Sequence, residues 1–298
     1  MESPKSRMKR GIAAVTTLVA AAALTAGLAS GSAAGSTDGT EAVSLRAFGI
    51  TSDGRTMATF LTDKPEELNW VRRISGLVGD TSAIGIDFRP QDGKFYAVGN
   101  WGGIYTITLP TGNSDVVVTK VSQLTIQLHG TTFGVDFNPA ADRLRVVSDT
   151  GQNLRHDLNT GTTVADGMLS TGPNTATVAG VTAAAYTNND LNATTATTLF
   201  DINTISANVA VQSPANNGFL ANTGALGTTA ATNAGADIYS DLVGGKTVTN
   251  TAFATLLVPP YGDATLYTFD PLTGLATAVG VFPLLITDIA VALDTNTH

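Results

Sequence analysis

Carboxylates set at a regular interval are the first groups in this 298-residue chain that could do chemistry. Asp87 lies in Ile84-Gly85-Ile86-Asp87-Phe88-Arg89-Pro90, and Asp136 in Phe133-Gly134-Val135-Asp136-Phe137-Asn138-Pro139. Asp237 follows Ala234-Gly235-Ala236, and Asp288 lies in Ile286-Thr287-Asp288-Ile289. Brought round one axis, such side chains could ring a hard cation such as Ca²⁺, which takes oxygen ligands. Two of them could also serve as the carboxylate pair of glycoside hydrolysis. The other reading is structural, with each Asp accepting backbone N–H groups at a strand end. That reading is preferred, because a catalytic pair needs two unlike environments rather than several identical ones. Calcium on Asp87, Asp136, Asp237 and Asp288 stays as the alternative, and the sequence requires no cofactor.

A second set departs from the repeat. Asp142-Arg143-Leu144-Arg145-Val146-Val147-Ser148-Asp149-Thr150-Gly151-Gln152-Asn153-Leu154-Arg155 places Arg143, Arg145 and Val147 on one face of a strand. Two guanidiniums on one side can clamp a carboxylate, from a ligand or from the protein. The functional expectation is a polar ligand site near the channel formed by Asp136, Arg143, Arg145, Asp149, Gln152, Asn153 and Arg155, for an acidic small molecule or a glycan. The competing expectation is a salt-bridge network joining Arg143 or Arg145 to Asp136 or Asp142.

Other chemistries find little support. His129, His156 and His298 lack zinc-ligand spacing, and His156 reads as exposed on an outward strand. No Gly-x-Ser-x-Gly elbow is present. Gly244-Gly245-Lys246-Thr247 lacks the leading glycine of a phosphate-cradling loop. Asn100-Trp101-Gly102-Gly103 puts an indole on a turn, where it could stack on a sugar or be an ordinary turn aromatic. No catalytic set is identified, so whether the chain is an enzyme stays open, with the balance toward a non-enzyme.

The elements that must position these residues repeat. Weaker copies of the Asp motif are Ala179-Gly180-Val181-Thr182, where Thr182 replaces Asp, and the segment from Ile286. Starts at 85, 134, 180, 235 and 286 are 49, 46, 55 and 51 residues apart. A second recurring element comprises Ile104-Tyr105-Thr106-Ile107, Leu154-Arg155-His156-Asp157-Leu158, Leu199-Phe200-Asp201-Ile202 and Leu266-Tyr267-Thr268-Phe269, three of them followed by a Thr-Gly turn. One unit holds strands near 85–88, 94–98, 104–109 and 116–121. Four short strands every 45 to 55 residues are the pattern of propeller blades. One strand remains after Thr287 and three precede the first full unit, near 44–50, 55–61 and 69–74. The fold class is therefore all-β, a β-propeller of five four-stranded blades in which the C-terminal strand joins the N-terminal blade. Six blades are the alternative, if the N-terminal stretch or the irregular region 214–260, with about 12 extra residues around 241–260, holds another blade.

At this point the motifs resemble a known family. The runs Phe133 to Pro139 and Asp142 to Arg155, with Gly85 to Pro90, Ala184-Ala185-Tyr186-Thr187-Asn188 and Gln212-Ser213-Pro214-Ala215-Asn216-Asn217-Gly218, are similar to the bacterial family catalogued as domain of unknown function 4394. The resemblance covers about 43–293. It implies a propeller-like, often exported protein and carries no activity or site residues.

Residues 1–34 read as a signal peptide: Lys5, Arg7, Lys9 and Arg10, then an uncharged stretch from Gly11 to Ala29, then small Ser32-Ala33-Ala34. An uncleaved membrane anchor is the alternative. No Arg-Arg pair precedes the apolar stretch, which favours the general secretory route and a secreted or extracellular location. Residues 35–42 form a linker and 43–298 the propeller domain. Without 1–34 the chain keeps 12 of 16 basic and 23 of 24 acidic residues, a net of −11. That surface repels phosphate backbones and argues against nucleic acid. At 43% hydrophobic and 13% charged the chain can build a large core, and it must do so without a single cysteine. The expectation is an exported monomer that binds a small molecule, glycan or protein at its channel mouth and does not engage the membrane after leader removal. The alternative is a secreted hydrolase or lyase using inner-strand carboxylates.

Overall fold

The computed structural model describes residues 44–228, 233–258 and 262–295. The expected signal peptide and linker lie outside the described residues. The chain divides into Met1–Glu41 and Ala42–His298, and the fold below is that of the second unit. No helix among the described residues is long and apolar enough to cross a membrane.

The domain is a β-propeller. Its first blade holds β1 (Arg46–Thr51), β2 (Thr56–Leu61) and β3 (Trp70–Ser75). The second holds β4 (Ala83–Arg89), β5 (Lys94–Gly99), β6 (Gly103–Thr108) and β7 (Val116–Gln123). The third holds β8 (Phe133–Asn138), β9 (Arg143–Ser148), β10 (Asn153–Asp157) and β11 (Thr162–Ala165). The fourth holds β12 (Val181–Tyr186), β13 (Leu199–Asn203), β14 (Asn208–Gln212) and β15 (Leu220–Ala225). Next come β16 (Ala234–Val243), β17 (Lys246–Val258), β18 (Asp263–Phe269) and β19 (Ala276–Val281). The last strand, β20 (Ile286–Val291), pairs antiparallel with β1 and so completes the first blade from the other end of the chain. Among the described residues the strands thus make five groups of four. The first two groups fuse into one eight-stranded sheet, because β3 and β7 pair in parallel at their outer edges.

The inner strands β20, β4, β8, β12 and β16 lie side by side in a closed circuit, with β16 back against β20. The core sits between blades rather than within them. Tyr96, Val98 and Ile104 of the second blade pack on Val135, Phe137 and Leu144 of the third, and each of the other four buried clusters is likewise shared by two successive blades. This burial on both faces removes the polar alternation of a one-sided strand. Of the extra residues expected around 241–260, the described ones, 241–258, belong to the long β16–β17 hairpin, and 215–217 form a 3-10 turn.

Glycine in the repeat serves close approach. A Cβ on Gly134 would lie 2.5 Å from the amide nitrogen of Ala184, one on Gly85 would enter Val135, and one on Gly235 would meet the Cα of Asp288. The register corrects two sequence expectations. In the fourth blade the motif is Ala183-Ala184-Ala185-Tyr186, with Ala185 at the Asp place, not Gly180 to Thr182: Asp136 accepts the Tyr186 N–H as Asp87 accepts the Phe137 N–H. In the first blade Ala290 holds the Asp place, since Asp237 accepts the Val291 N–H, and Asp288 stands two residues earlier, at the glycine place. Leu199–Asn203 is also the second strand of its blade, not the third.

Candidate functional site

Inner strands start at one end of the channel, called here the mouth, and carry the aspartates inward. Asp87, Asp136 and Asp237 come together on the axis, each offering an oxygen within 4.8 Å of the others. Asp288 lies one strand pleat nearer the mouth, about 7 Å at ~3.3 Å per residue. Each carboxyl reaches across to the neighbouring blade: Asp87 to Phe137 N–H at 2.7 Å, Asp136 to Tyr186 N–H at 3.2 Å, Asp237 to Val291 N–H at 2.6 Å and Asp288 to Ile86 N–H at 2.8 Å. Asp87 and Asp237 also accept the N–H of their own following residue.

Burial raises the pKa of all four. Asp237 is pushed up to about 6, while Asp87, Asp136 and Asp288 go well above the usual carboxylate range, helped by the nearby Asp237 charge. Burial and mutual repulsion therefore oppose ionising these acids together, as in any tight cluster of acids. A hard cation seeks six to eight oxygens at about 2.3–2.6 Å. The three carboxyls offer one oxygen each, and five of their six oxygens already receive N–H bonds. Three buried, amide-bonded acids do not meet calcium's needs by themselves.

Above Asp288 the mouth opens as a cavity of about 310 Å³. Its wall is drawn from the β1–β2 turn (Thr51, Ser52, Asp53), the start of β4 (Ser82) with Asn100, the approach to β8 (Thr131), Asn233 and Thr287. Several of these polar groups serve the fold. Asn100 caps the amides of Thr81 and Ser82, and Thr131 donates to Asp149. Ser52, Ser82, Asn233 and Thr287 make no side-chain hydrogen bond to the described protein, although Thr287 is only 8% exposed. These four escaped the sequence reading, because serine, threonine and asparagine beside strand starts look like ordinary turn residues.

The seven expected ligand residues do not form one pocket. Asp136 is on the axis. Arg145, buried in β9, donates to Asp166 at 2.7 Å, Asn153 at 2.7 Å, Asn216 at 2.8 Å and the Tyr186 hydroxyl at 3.2 Å. Arg155 adds a bond to the same Asp166 at 2.9 Å, and Asn153 donates to the carbonyls of Gly167 and Ala215. This network ties the third blade to the fourth. Asp166, not Asp136 or Asp142, is the partner of Arg145, and Asp157 is the partner of Arg143 at 3.0 Å. Arg143 and Arg155 line a surface pocket of about 230 Å³ with Asp157, so each guanidinium there already has its carboxylate. Asp149 and Gln152 hold the 127–131 loop through Thr131, His129 and Gln127.

Two further buried groups were misjudged or missed. His156 is not exposed: it is fully buried, bonded to Ser122 at 2.8 Å and Thr163 at 2.9 Å, and burial lowers its pKa. Asp201 on β13 is 1% exposed with neither carboxyl oxygen hydrogen-bonded, and burial pushes its pKa up to about 8.

With this geometry established, comparison with known proteins adds the lineage. The sequence matches the family described as Domain of unknown function (DUF4394) over residues 56–290. The chain belongs to that family. No curated protein matches it significantly. Among solved structures it is similar to the WD40 domain of Toxoplasma gondii coronin, at 12% identity and a TM-score of 0.40 over 76% of this chain and 54% of that one. It spans about half the length of that chain. TolB from Acinetobacter baumannii is similar at 9% identity and a TM-score of 0.41, over 84% of this chain and 66% of that one. A chain of a nidogen/laminin complex gives 11% identity and a TM-score of 0.42, over 84% and 99%. Family membership brings no activity with it, so function must be argued from the site.

Proposed function

We propose that this member of the family is an exported, monomeric binding module that holds a small molecule, or the end of a larger glycan or protein partner, in the channel mouth. One observation carries the reading: a 310 Å³ cavity at the channel mouth has polar side chains left unbonded by the protein, while the acids beneath it are consumed by backbone amides. Ligand sites are concave, with a few convergent polar groups. The export part of the proposal is supported by the basic start, apolar run and small residues of 1–34. The alternative, a hydrolase or lyase using inner-strand carboxylates, gains from their raised pKa values, which suit an acid catalyst. It is disfavoured because those carboxyls are almost wholly buried and already bonded.

The test is a thermal-shift screen of the full chain against neutral sugars, uronates, amines and millimolar Ca²⁺, repeated on Thr287→Val. A compound that raises the Tm of the wild type and no longer does so in the variant supports the mouth. A shift that survives Thr287→Val moves the site elsewhere. A large Ca²⁺-dependent shift would revive the metal-dependent enzyme.

A further inference from the structure

The groups around the mouth narrow the chemistry of what it holds. We infer that the mouth takes a neutral polyhydroxylated ligand, the terminal sugar of a glycan; the inference rests on the binding reading above. An anion finds nothing to neutralise it, since no Lys, Arg or His is among the described residues that line the cavity. Among the described residues of the wall, Asp53 alone is ionisable. Bonds from the Thr51 hydroxyl at 2.6 Å and the Arg55 N–H at 3.0 Å hold its carboxyl below the usual range, so it is charged and repels anions. An ammonium ligand is poorly served too, because the Asp53 charge is already shared with those donors and with the Arg55 guanidinium. Burial raises the pKa of Asp288, next below the mouth, well above the usual carboxylate range, which disfavours a counter-charge there.

What remains are the hydroxyls of Ser52, Ser82 and Thr287 and the amide of Asn233. Each both donates and accepts, which is the hydrogen-bonding character of a sugar hydroxyl. Thr287 as a residue is 8% exposed, and its hydroxyl in the cavity wall bonds to no described protein group, which leaves it open to a ligand. Trp101 adds the second half of the match. It stands 64% exposed on the turn that carries Asn100 into the cavity wall. An exposed amphipathic ring one residue along the chain from a wall residue suits the mixed apolar and hydroxylated faces of a sugar. The cavity volume is at the small end of ligand pockets, roughly 300–1,000 Å³, which limits the occupant to about one sugar unit.

The experiment is isothermal titration of the full chain with methyl glycosides of glucose, galactose, mannose and N-acetylglucosamine, beside glucuronate, galacturonate and choline. At least one neutral glycoside should bind, with its uronate counterpart at least ~10-fold weaker. Thr287→Val and Trp101→Ala should each weaken binding by about 5- to 10-fold while circular dichroism and Tm stay as in the wild type. Uronates or choline binding best, with loss in Thr287→Val, would overturn the sugar class and leave the mouth in place. Glycoside binding untouched by both variants would overturn the mouth itself. No binding by any neutral glycoside would overturn this inference.

Discussion

The channel mouth and the axis just beneath it are built from the same strands yet treat polar groups in opposite ways. On the axis, Asp87, Asp136, Asp237 and Asp288 each take an N–H from the next blade, so every acid is a cross-blade tie. At the mouth above them, the hydroxyls of Ser82 and Thr287 are left without a described protein partner. A buried acceptor removed from its donor costs the donor's full desolvation, whereas an unbonded hydroxyl can be deleted cheaply. The axis is therefore where the ring is held and the mouth is where a ligand can be held. Substitutions should separate the two.

The largest effect is expected on the axis. Asp237→Ala strands the N–H groups of Ile238 and Val291 between the last group of strands and the closing strand, and should cost ~3 kcal/mol in urea unfolding. Asp237→Asn keeps one acceptor oxygen and should lose less than half of that. If the alanine variant unfolds like the wild type, the acids do not tie the ring.

A smaller effect separates bonded from unbonded buried acids. Asp201 accepts no hydrogen bond, and burial outweighs the attraction of Arg145 to give it a pKa of about 8, against 3.8 when unperturbed. Between about pH 4 and 8 the unfolded chain gives up this proton while the folded chain keeps it. Its contribution to stability is then complete below pH 4 and is lost as pH rises to 8. Asp237, at about 6, adds the same sign up to pH 6. Urea unfolding at pH 5, 6, 7 and 8 should show stability falling with pH, and Asp201→Asn should flatten the curve and gain ~2 kcal/mol at pH 8. An unchanged slope in the variant would remove Asp201 from the account.

These regions also mark where the sequence was readable. Blades, closure and the axial aspartates followed from the Gly-x-Asp spacing, because the glycine is demanded by contact: Gly134 faces the backbone of Ala183 and Ala184. The same cue misled at Gly180, whose φ of +89° fits it to a turn ahead of β12, so the fourth copy was placed three residues early. At Asp288 only the acid recurs, without the glycine that sets its level, and the copy slid by two. His156 was read as exposed on an outward strand, a reading that fails where both faces of a blade are covered, and nothing in the repeat singled out Asp201. The Arg145 network could not be placed because Asp166 and Asn216 come from segments with no repeat to align them. The mouth hydroxyls carry no local signal at all; their convergence is a property of the closed ring.

The smallest effect is the most telling, since it uses one chemical change at two buried threonines. Thr255 Oγ1 donates to the Ile286 carbonyl at 2.7 Å, joining the fifth group of strands to the closing strand, while the Thr287 hydroxyl next to that carbonyl bonds to no protein group. Replacing either by valine removes one hydroxyl and keeps the shape. Thr255→Val should cost about 1–2 kcal/mol, because it also leaves a buried carbonyl short of a donor. Thr287→Val should change stability by less than ~0.5 kcal/mol, in either direction. A threonine that the fold can lose without cost, standing in the wall of an open cavity, is held there by something other than stability. Equal losses for the two variants in urea unfolding would return Thr287 to the scaffold and remove the strongest reason for reading the mouth as a site.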